Sequence, residues 1–90
     1  MAEITIDAVG EREFQVRVLD GRQQTTHVVT VPKSLGEGIQ LPDDLEVVVR
    51  ESFRFLLERE PASSILPRFS LSEIERYFPE YPKELARRLS

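Results

Sequence analysis

Residues 13–31, with the sequence EFQVRVLDGRQQTTHVVTV, decide the fold because apolar and polar side chains alternate on both sides of an Asp-Gly pair. A period of two places every second side chain on the same face of a β-strand. Asp20-Gly21 is a strong hairpin signal, since a type I′ turn requires positive φ at both central residues. The segment therefore predicts two antiparallel strands joined by a tight turn.

The register of this hairpin follows from the turn. A two-residue loop at Asp20-Gly21 pairs Val16 with Thr25 and Phe14 with His27. The turn chemistry and the apolar alternation then agree on one buried face, as expected when a single face of a sheet is covered.

A third strand precedes the hairpin, because Ile4 and Ile6 alternate with polar residues. A three-residue loop over residues 9–11 places Ile6 opposite Phe14 and Ile4 opposite Val16. A β-bulge at this turn is the alternative. Either arrangement gives an antiparallel meander with one apolar face.

The main helix is predicted over residues 43–60. Asp43 with Glu46 resembles a capping box, although Pro42 could instead occupy the first helical position. At 100° per residue, one set of side chains falls within a single arc that we expect to lie on the sheet. This stripe consists of Leu45, Val48, Val49, Ser52, Phe53, Phe55 and Leu56.

Two short helices are predicted after the main helix. Ser70 and Glu73 have the spacing of a capping box, with Phe69 and Ile74 at the staple positions on either side. Pro82 is suited to the first turn of a last helix. The C-terminal part is therefore predicted to be helical.

These elements predict an α+β fold with the order β-β-β-α-α-α. Ninety residues leave room for one hydrophobic core, so we expect a single domain. Its parts are a three-stranded antiparallel meander (1–31), a connector (32–42), the main helix (43–60) and a C-terminal helical segment (61–90).

The composition disfavours several classes of protein. The chain has no Cys, which gives no disulfide framework or thiolate chemistry. Its apolar runs are far shorter than the roughly twenty residues of a membrane span, and its N-terminus lacks the features of a signal peptide. Residues 1–45 carry four Lys/Arg against eight Asp/Glu, and residues 46–90 carry eight of each, so neither half favours nucleic-acid binding. We expect a cytoplasmic protein.

No pattern in the chain predicts catalysis, a cofactor or a metal. His27 is the only histidine, and a lone His without a second ligand on its strand does not make a zinc site. We therefore interpret it as a structural strand residue. Residues 36–38 lack the Lys-Ser/Thr ending of a phosphate-binding loop. Neighbouring carboxylates on the helices do not face each other, and we interpret them as caps and solvated surface.

Five apolar or aromatic residues are the candidates for partner binding. Val47 and Leu57 lie off the apolar stripe of the main helix, and Tyr77, Phe78 and Tyr81 concentrate aromatic surface near the C-terminus. Either these aromatic residues close the core, or they form an interface, where Tyr and Phe anchors are common. We predict a non-enzymatic interaction module that binds a partner protein or a second copy of itself.

Two alternative functions have structural requirements of their own. A small nucleic-acid-associated regulator, of the antitoxin type, needs a contiguous basic surface joining Arg68, Arg76, Arg87 and Arg88. An enzyme that uses His27 needs this ring to be exposed in a cleft with a carboxylate in reach.

The second half of the chain resembles a group of small uncharacterised bacterial proteins. The similarity covers about residues 45–82 and rests on the sequences of residues 52–60, 64–69 and 74–81, after a strand-rich start that ends in Val-Thr-Val-Pro at residues 29–32. It implies a bacterial intracellular protein. It assigns no catalytic or binding role to any residue.

Overall fold

One mixed sheet of four strands is the frame of the molecule. The computed structural model describes residues 2–36 and 39–90. In chain order the strands are β1 (Glu3–Ala8), β2 (Glu13–Asp20), β3 (Gln23–Thr30) and β4 (Arg68–Ser70). They lie in this same order across the sheet. The first three are antiparallel, and β4 is parallel to β3.

Three α-helices complete the α+β fold. They are α1 (Leu45–Leu57), α2 (Ile74–Tyr77) and α3 (Tyr81–Leu89). Short 3₁₀ turns at Ala62–Ser64 and Leu71–Glu73 come before β4 and α2. The predicted order of three strands followed by a long helix and short helices is confirmed in outline.

The fourth strand is a correction to the prediction, which gave residues 61–90 as entirely helical. Residues 68–70 pair with residues 28–30 of β3, and the Pro67 carbonyl accepts a hydrogen bond of 2.8 Å from the Val28 amide. The helix α1 provides the crossover that parallel strands require. A strand of three residues is too short to show alternation, so the sequence pattern does not reveal it.

The register of the hairpin between β2 and β3 also differs from the prediction. Val16 pairs with His27, and the two-residue loop is Gly21-Arg22 rather than Asp20-Gly21. Gly21 has φ of 63°, and no described non-glycine residue has a positive φ. This pattern is typical of a type II′ turn, which places Gly at the first central position and needs positive φ only there.

Four residues, 9–12, lie between the ends of β1 and β2, whereas the predicted loop had three. The pairing of the two strands also differs from the prediction. Ile6 pairs with Val16, and both the Val9 and Gly10 amides donate to the Glu13 carbonyl, at 2.9 and 3.2 Å. The predicted partner of Ile6 was Phe14. In both hairpins the register shifts by two residues, which leaves every side chain on its predicted face.

The helix α1 is shorter than the predicted range of 43–60. Its N-cap is Asp44, whose side chain accepts a hydrogen bond of 3.1 Å from the Glu46 amide, so the predicted Asp43–Glu46 capping box and the alternative start at Pro42 are both wrong. The helix ends at Leu57. The predicted capping box of Ser70 and Glu73 is present, and it begins the 3₁₀ turn that leads into α2.

The core lies between the apolar face of the sheet and α1. Phe14, Val16 and Val29 are buried, as are the α1 stripe residues apart from half-buried Leu45. The ring of Phe53 lies 5.5 Å from that of His27 and 6.1 Å from that of Phe69, measured between ring centroids. One aromatic side chain of α1 thus joins β3 and β4.

The connector packs on this core where the structure describes it. Leu35 is buried, and Ile39 and Leu41 are partly buried against the core. Glu37 and Gly38, which belong to the glycine-containing segment weighed as a phosphate loop, lie outside the described residues.

The helix α3 docks on α1 through a buried polar contact. Tyr81 is 1% exposed, and its ring lies 5.3 Å from that of Phe55. Ser52 donates to the Val48 carbonyl at 2.7 Å, so the Tyr81 hydroxyl donates to Ser52 Oγ, also at 2.7 Å. Burial raises the pKa of the Tyr81 hydroxyl to about 12. Tyr81, a predicted partner-binding residue, therefore belongs to the core.

We predict that Gly21→Ala destabilises the protein by about 1–2 kcal/mol, because an L side chain resists positive φ. Gly10→Ala is the matched control, since the φ of Gly10 is not positive and an added Cβ would make only an ordinary 3.4 Å contact with Glu13. Urea unfolding measures both changes. Equal effects of the two substitutions would contradict the assignment of the turn.

We predict that the Ser52–Tyr81 hydrogen bond couples α3 to α1. Tyr81→Phe removes the bond at a cost of about 1 kcal/mol, and Ser52→Ala costs about 2 kcal/mol because it leaves the Tyr81 hydroxyl buried without an acceptor. The double variant should be less destabilised than the two single changes together by about 1 kcal/mol. Strict additivity in urea unfolding would show that the two hydroxyls do not interact.

Candidate functional site

An apolar groove opens between the C-terminal end of α1, the chain before β4, and α2. Its volume is about 410 Å³, near the lower end of the roughly 300–1,000 Å³ of ligand pockets. Two exposed side chains stand beside it, Leu66 at 44% and Tyr77 at 68% exposure. The buried side chains that line it are Leu56, Ile65, Phe69 and Ile74.

Hydrogen bonds between distant parts of the chain hold the wall of the groove in place. The Leu66 carbonyl can only accept, so His27 Nδ1 donates to it, at 2.8 Å. This leaves His27 Nε2 to accept from the Thr25 hydroxyl at 2.9 Å in the neutral ring. The side chain of His27 thus ties the segment before β4 to β3.

The environment of His27 is that of a structural residue. The ring is 2% exposed and packs on Phe53, and its two hydrogen-bond partners are a backbone carbonyl and a hydroxyl. The hypothesis of an enzyme based on His27 requires an exposed ring beside a carboxylate. The geometry gives that hypothesis no support. His27 lies opposite Val16 rather than the predicted Phe14.

The groove carries negative charge. Among the described residues, those lining it include two carboxylates, Glu60 and Glu73, and no Lys, Arg or His. Glu73 is engaged locally, because its Oε2 accepts a hydrogen bond of 3.0 Å from the Ser70 amide. Glu60 forms no ion pair within residues 2–36 and 39–90. Burial raises the pKa of its carboxyl group.

Nearby carboxylates contrast with Glu60 because arginines neutralise them. Glu58 lies 2.8 Å from Arg88, and Glu80 lies 3.1 Å from Arg59. The hydrogen bond from Arg88 lowers the pKa of the Glu58 carboxyl group. Arg88 also lies within 3.6 Å of Glu51 on α1, so this network fastens α3 to α1.

The structure brings together two of the five predicted partner-binding residues. Tyr77 and the partly buried Phe78 line the groove. Leu57 lines a separate cleft of about 660 Å³ beside β1. Val47 is exposed on α1 but lines neither cavity, and Tyr81 is in the core.

The sequence patterns do not predict three residues that line the groove, which are Leu66, Ile65 and Glu60. They come from the segment between α1 and β4, and they reach α2 only because β4 pairs with β3. The only signal in the sequence is the pair Ile65-Leu66 before Pro67, which is too short to predict a surface.

The basic residues singled out in the sequence are interspersed with carboxylates. Arg68 pairs with Glu13 at 3.2 Å, while Arg87 and Arg88 both bind Glu84. The nucleic-acid hypothesis requires a contiguous basic surface that joins these three arginines and Arg76. The observed pairing does not favour it.

The described residues offer neither a cluster of three or more His, Cys, Asp or Glu side chains for a metal ion nor a helix long and apolar enough to cross a membrane. No protein-family model, curated protein or solved structure matches the chain. The resemblance to small bacterial proteins stays a prediction.

We predict opposite effects on stability for two neighbouring glutamates. Glu58→Gln lowers the unfolding midpoint at neutral pH, because a carboxylate with a lowered pKa stabilises the fold above its ordinary value of 4.5. That stabilisation is lost as pH falls through the lowered pKa. Glu60→Gln raises the midpoint, because a raised pKa means that ionisation of Glu60 destabilises the fold.

Thermal unfolding between pH 3 and pH 7 checks both signs. The gain from Glu60→Gln should disappear below pH 4.5, where Glu60 of the wild-type protein is protonated in both states. A loss of stability in Glu60→Gln at pH 7 would mean that its carboxylate supports the fold.

Proposed function

We propose that this protein is an interaction module that binds a segment of a partner protein in the groove beside Tyr77. The main support is that two exposed apolar side chains, Leu66 and Tyr77, stand beside a cavity with an apolar lining. Apolar surface grouped in this way marks binding sites more often than single exposed residues do. Tyr is also enriched among the residues that dominate binding energies.

Other exposed apolar residues do not form such a surface. Val9 lies in the turn after β1, Leu19 lies near the end of β2, and Val47 lies on α1. None of them lines the groove or the cleft beside β1. Single exposed residues of this kind are normal in soluble domains.

Hydrogen bonds and core packing hold the residues of the groove in place. His27 holds the Leu66 carbonyl, the Ser70–Glu73 capping box begins the turn before α2, and Phe69 packs on Phe53 of the core. A site held in this way loses little conformational freedom on binding. This favours an occupant that inserts one or two large side chains into an existing cavity.

We expect alanine substitutions at the rim to weaken binding without unfolding the protein. Peptides selected from a random phage-displayed library against the wild-type protein are the probe, and isothermal titration calorimetry measures their affinity. Tyr77→Ala should weaken binding by about tenfold or more. Leu66→Ala should also weaken it, because Leu66 stands at the same rim.

Leu19→Ala is the matched control, because Leu19 and Leu66 are similarly exposed, at 40% and 44%. It should leave the affinity unchanged. Amide shifts in NMR spectra of the peptide complex should concentrate in residues 64–69 and 74–78. Selected peptides that bind elsewhere, or that bind Tyr77→Ala as tightly as the wild-type protein, would overturn the proposal.

Light scattering over a range of concentrations tests whether a second copy of the chain is the occupant instead. If the protein forms a dimer and Tyr77→Ala dissociates it, the groove is the dimer interface. Its occupant is then a second copy of the chain rather than a partner protein. A dimer that persists in Tyr77→Ala and excludes the selected peptides would contradict the proposal.

A further inference from the structure

Glu60 stands at the boundary between the groove and the cleft beside β1. Glu60 is a lining residue of both cavities. Its amide donates to the Leu56 carbonyl at 2.9 Å, which continues the last turn of α1 and fixes the backbone there. A carboxylate is thus held next to an apolar binding surface.

The arginines that line the cleft beside β1, and the arginine next to Glu60 in the chain, are engaged with other groups. In the cleft beside β1, Arg50 donates to the Ile4 carbonyl at 3.1 Å, and Arg54 pairs with Glu51 at 2.7 Å. Arg59, which precedes Glu60 in the chain, binds Glu80 and lies over the ring of Phe55. None of these arginines forms an ion pair with Glu60.

A partly buried charge without a counter-charge is unfavourable. Glu60 bears this cost in the unbound protein, and its neighbour Glu58 does not, because Arg88 neutralises Glu58. A cationic group brought by a partner would remove the cost. An anionic group would add repulsion from both Glu60 and Glu73.

We propose that the groove selects partner segments in which a Lys or Arg lies next to a large apolar side chain, and that Glu60 binds the cation. This inference rests on the proposed function, since the apolar side chain would occupy the space beside Leu66 and Tyr77. Tyr77, which is 68% exposed, offers an aromatic ring as a second favourable contact for a cation. Leu66 and Tyr77 contribute most of the affinity, and Glu60 determines the selectivity for apolar segments that carry a basic residue.

Matched peptides test this selectivity. Each peptide selected against the wild-type protein is synthesised in three forms, with the basic residue present, replaced by Gln, or replaced by Glu. The wild-type protein should bind the basic form about fivefold more tightly than the Gln form, and the Glu form more weakly still. In Glu60→Gln the advantage of the basic form should disappear.

Glu75→Gln is the matched control, because Glu75 is an exposed glutamate of α2 that does not line the groove. It should keep the wild-type preference. Glu60→Lys should reverse the preference and bind the Glu form best. The advantage of the basic form should also shrink between low salt and about 0.5 M salt, where charges in contact with solvent are screened.

The two proposals fail in different ways. Peptides that depend on Tyr77 but bind wild type and Glu60→Gln with the same preference would overturn the role of Glu60 and leave the groove as the binding site. Peptides that are indifferent to Tyr77 would overturn the proposed function. The unfolding midpoint of each variant is measured as well, so that a loss of binding can be distinguished from a loss of folded structure.

Discussion

The arrangement of the whole molecule depends on Phe53, whose ring packs against His27 of β3 and Phe69 of β4. An antiparallel meander with one apolar face must be covered, and α1 covers it along a single stripe. Because Phe53 contacts the rings of both strands, the same packing that covers the meander also holds the short β4 in the sheet. The groove follows from this, since its lining extends from β4 into α2.

The fold was largely predictable because alternation and helical periodicity are local signals. The registers were not, because turn type depends on backbone angles that the pair Asp20-Gly21 does not determine. The strand β4 escaped prediction because three residues pair only after a long crossover. For the groove, Tyr77 was singled out in the sequence by its aromatic character, but Leu66 and Glu60 join it only through tertiary structure. Tyr81 was misassigned because its partner Ser52 is distant in sequence.

The distribution of charge differs between the parts of the molecule that maintain the fold and the groove that we propose as a binding site. Arg88 and Arg59 neutralise most carboxylates around α1 and α3, which fastens these helices together. Glu60 lies beside the apolar groove, and burial raises the pKa of its carboxyl group. Binding sites often retain groups that are unfavourable in the free protein, because a ligand relieves them. Most carboxylates around α1 and α3 are therefore paired with arginines, whereas Glu60 in the proposed binding groove has no such ion pair within the described residues.

The most direct test of this account is a nuclear Overhauser measurement on the aromatic rings in solution. If Phe53 holds β3 and β4 together, its ring protons give cross-peaks to those of both His27 and Phe69, whose centroids lie 5.5 and 6.1 Å away. Cross-peaks to His27 alone, with Phe69 free of α1, would show that β4 is not held to the sheet and that the groove does not exist.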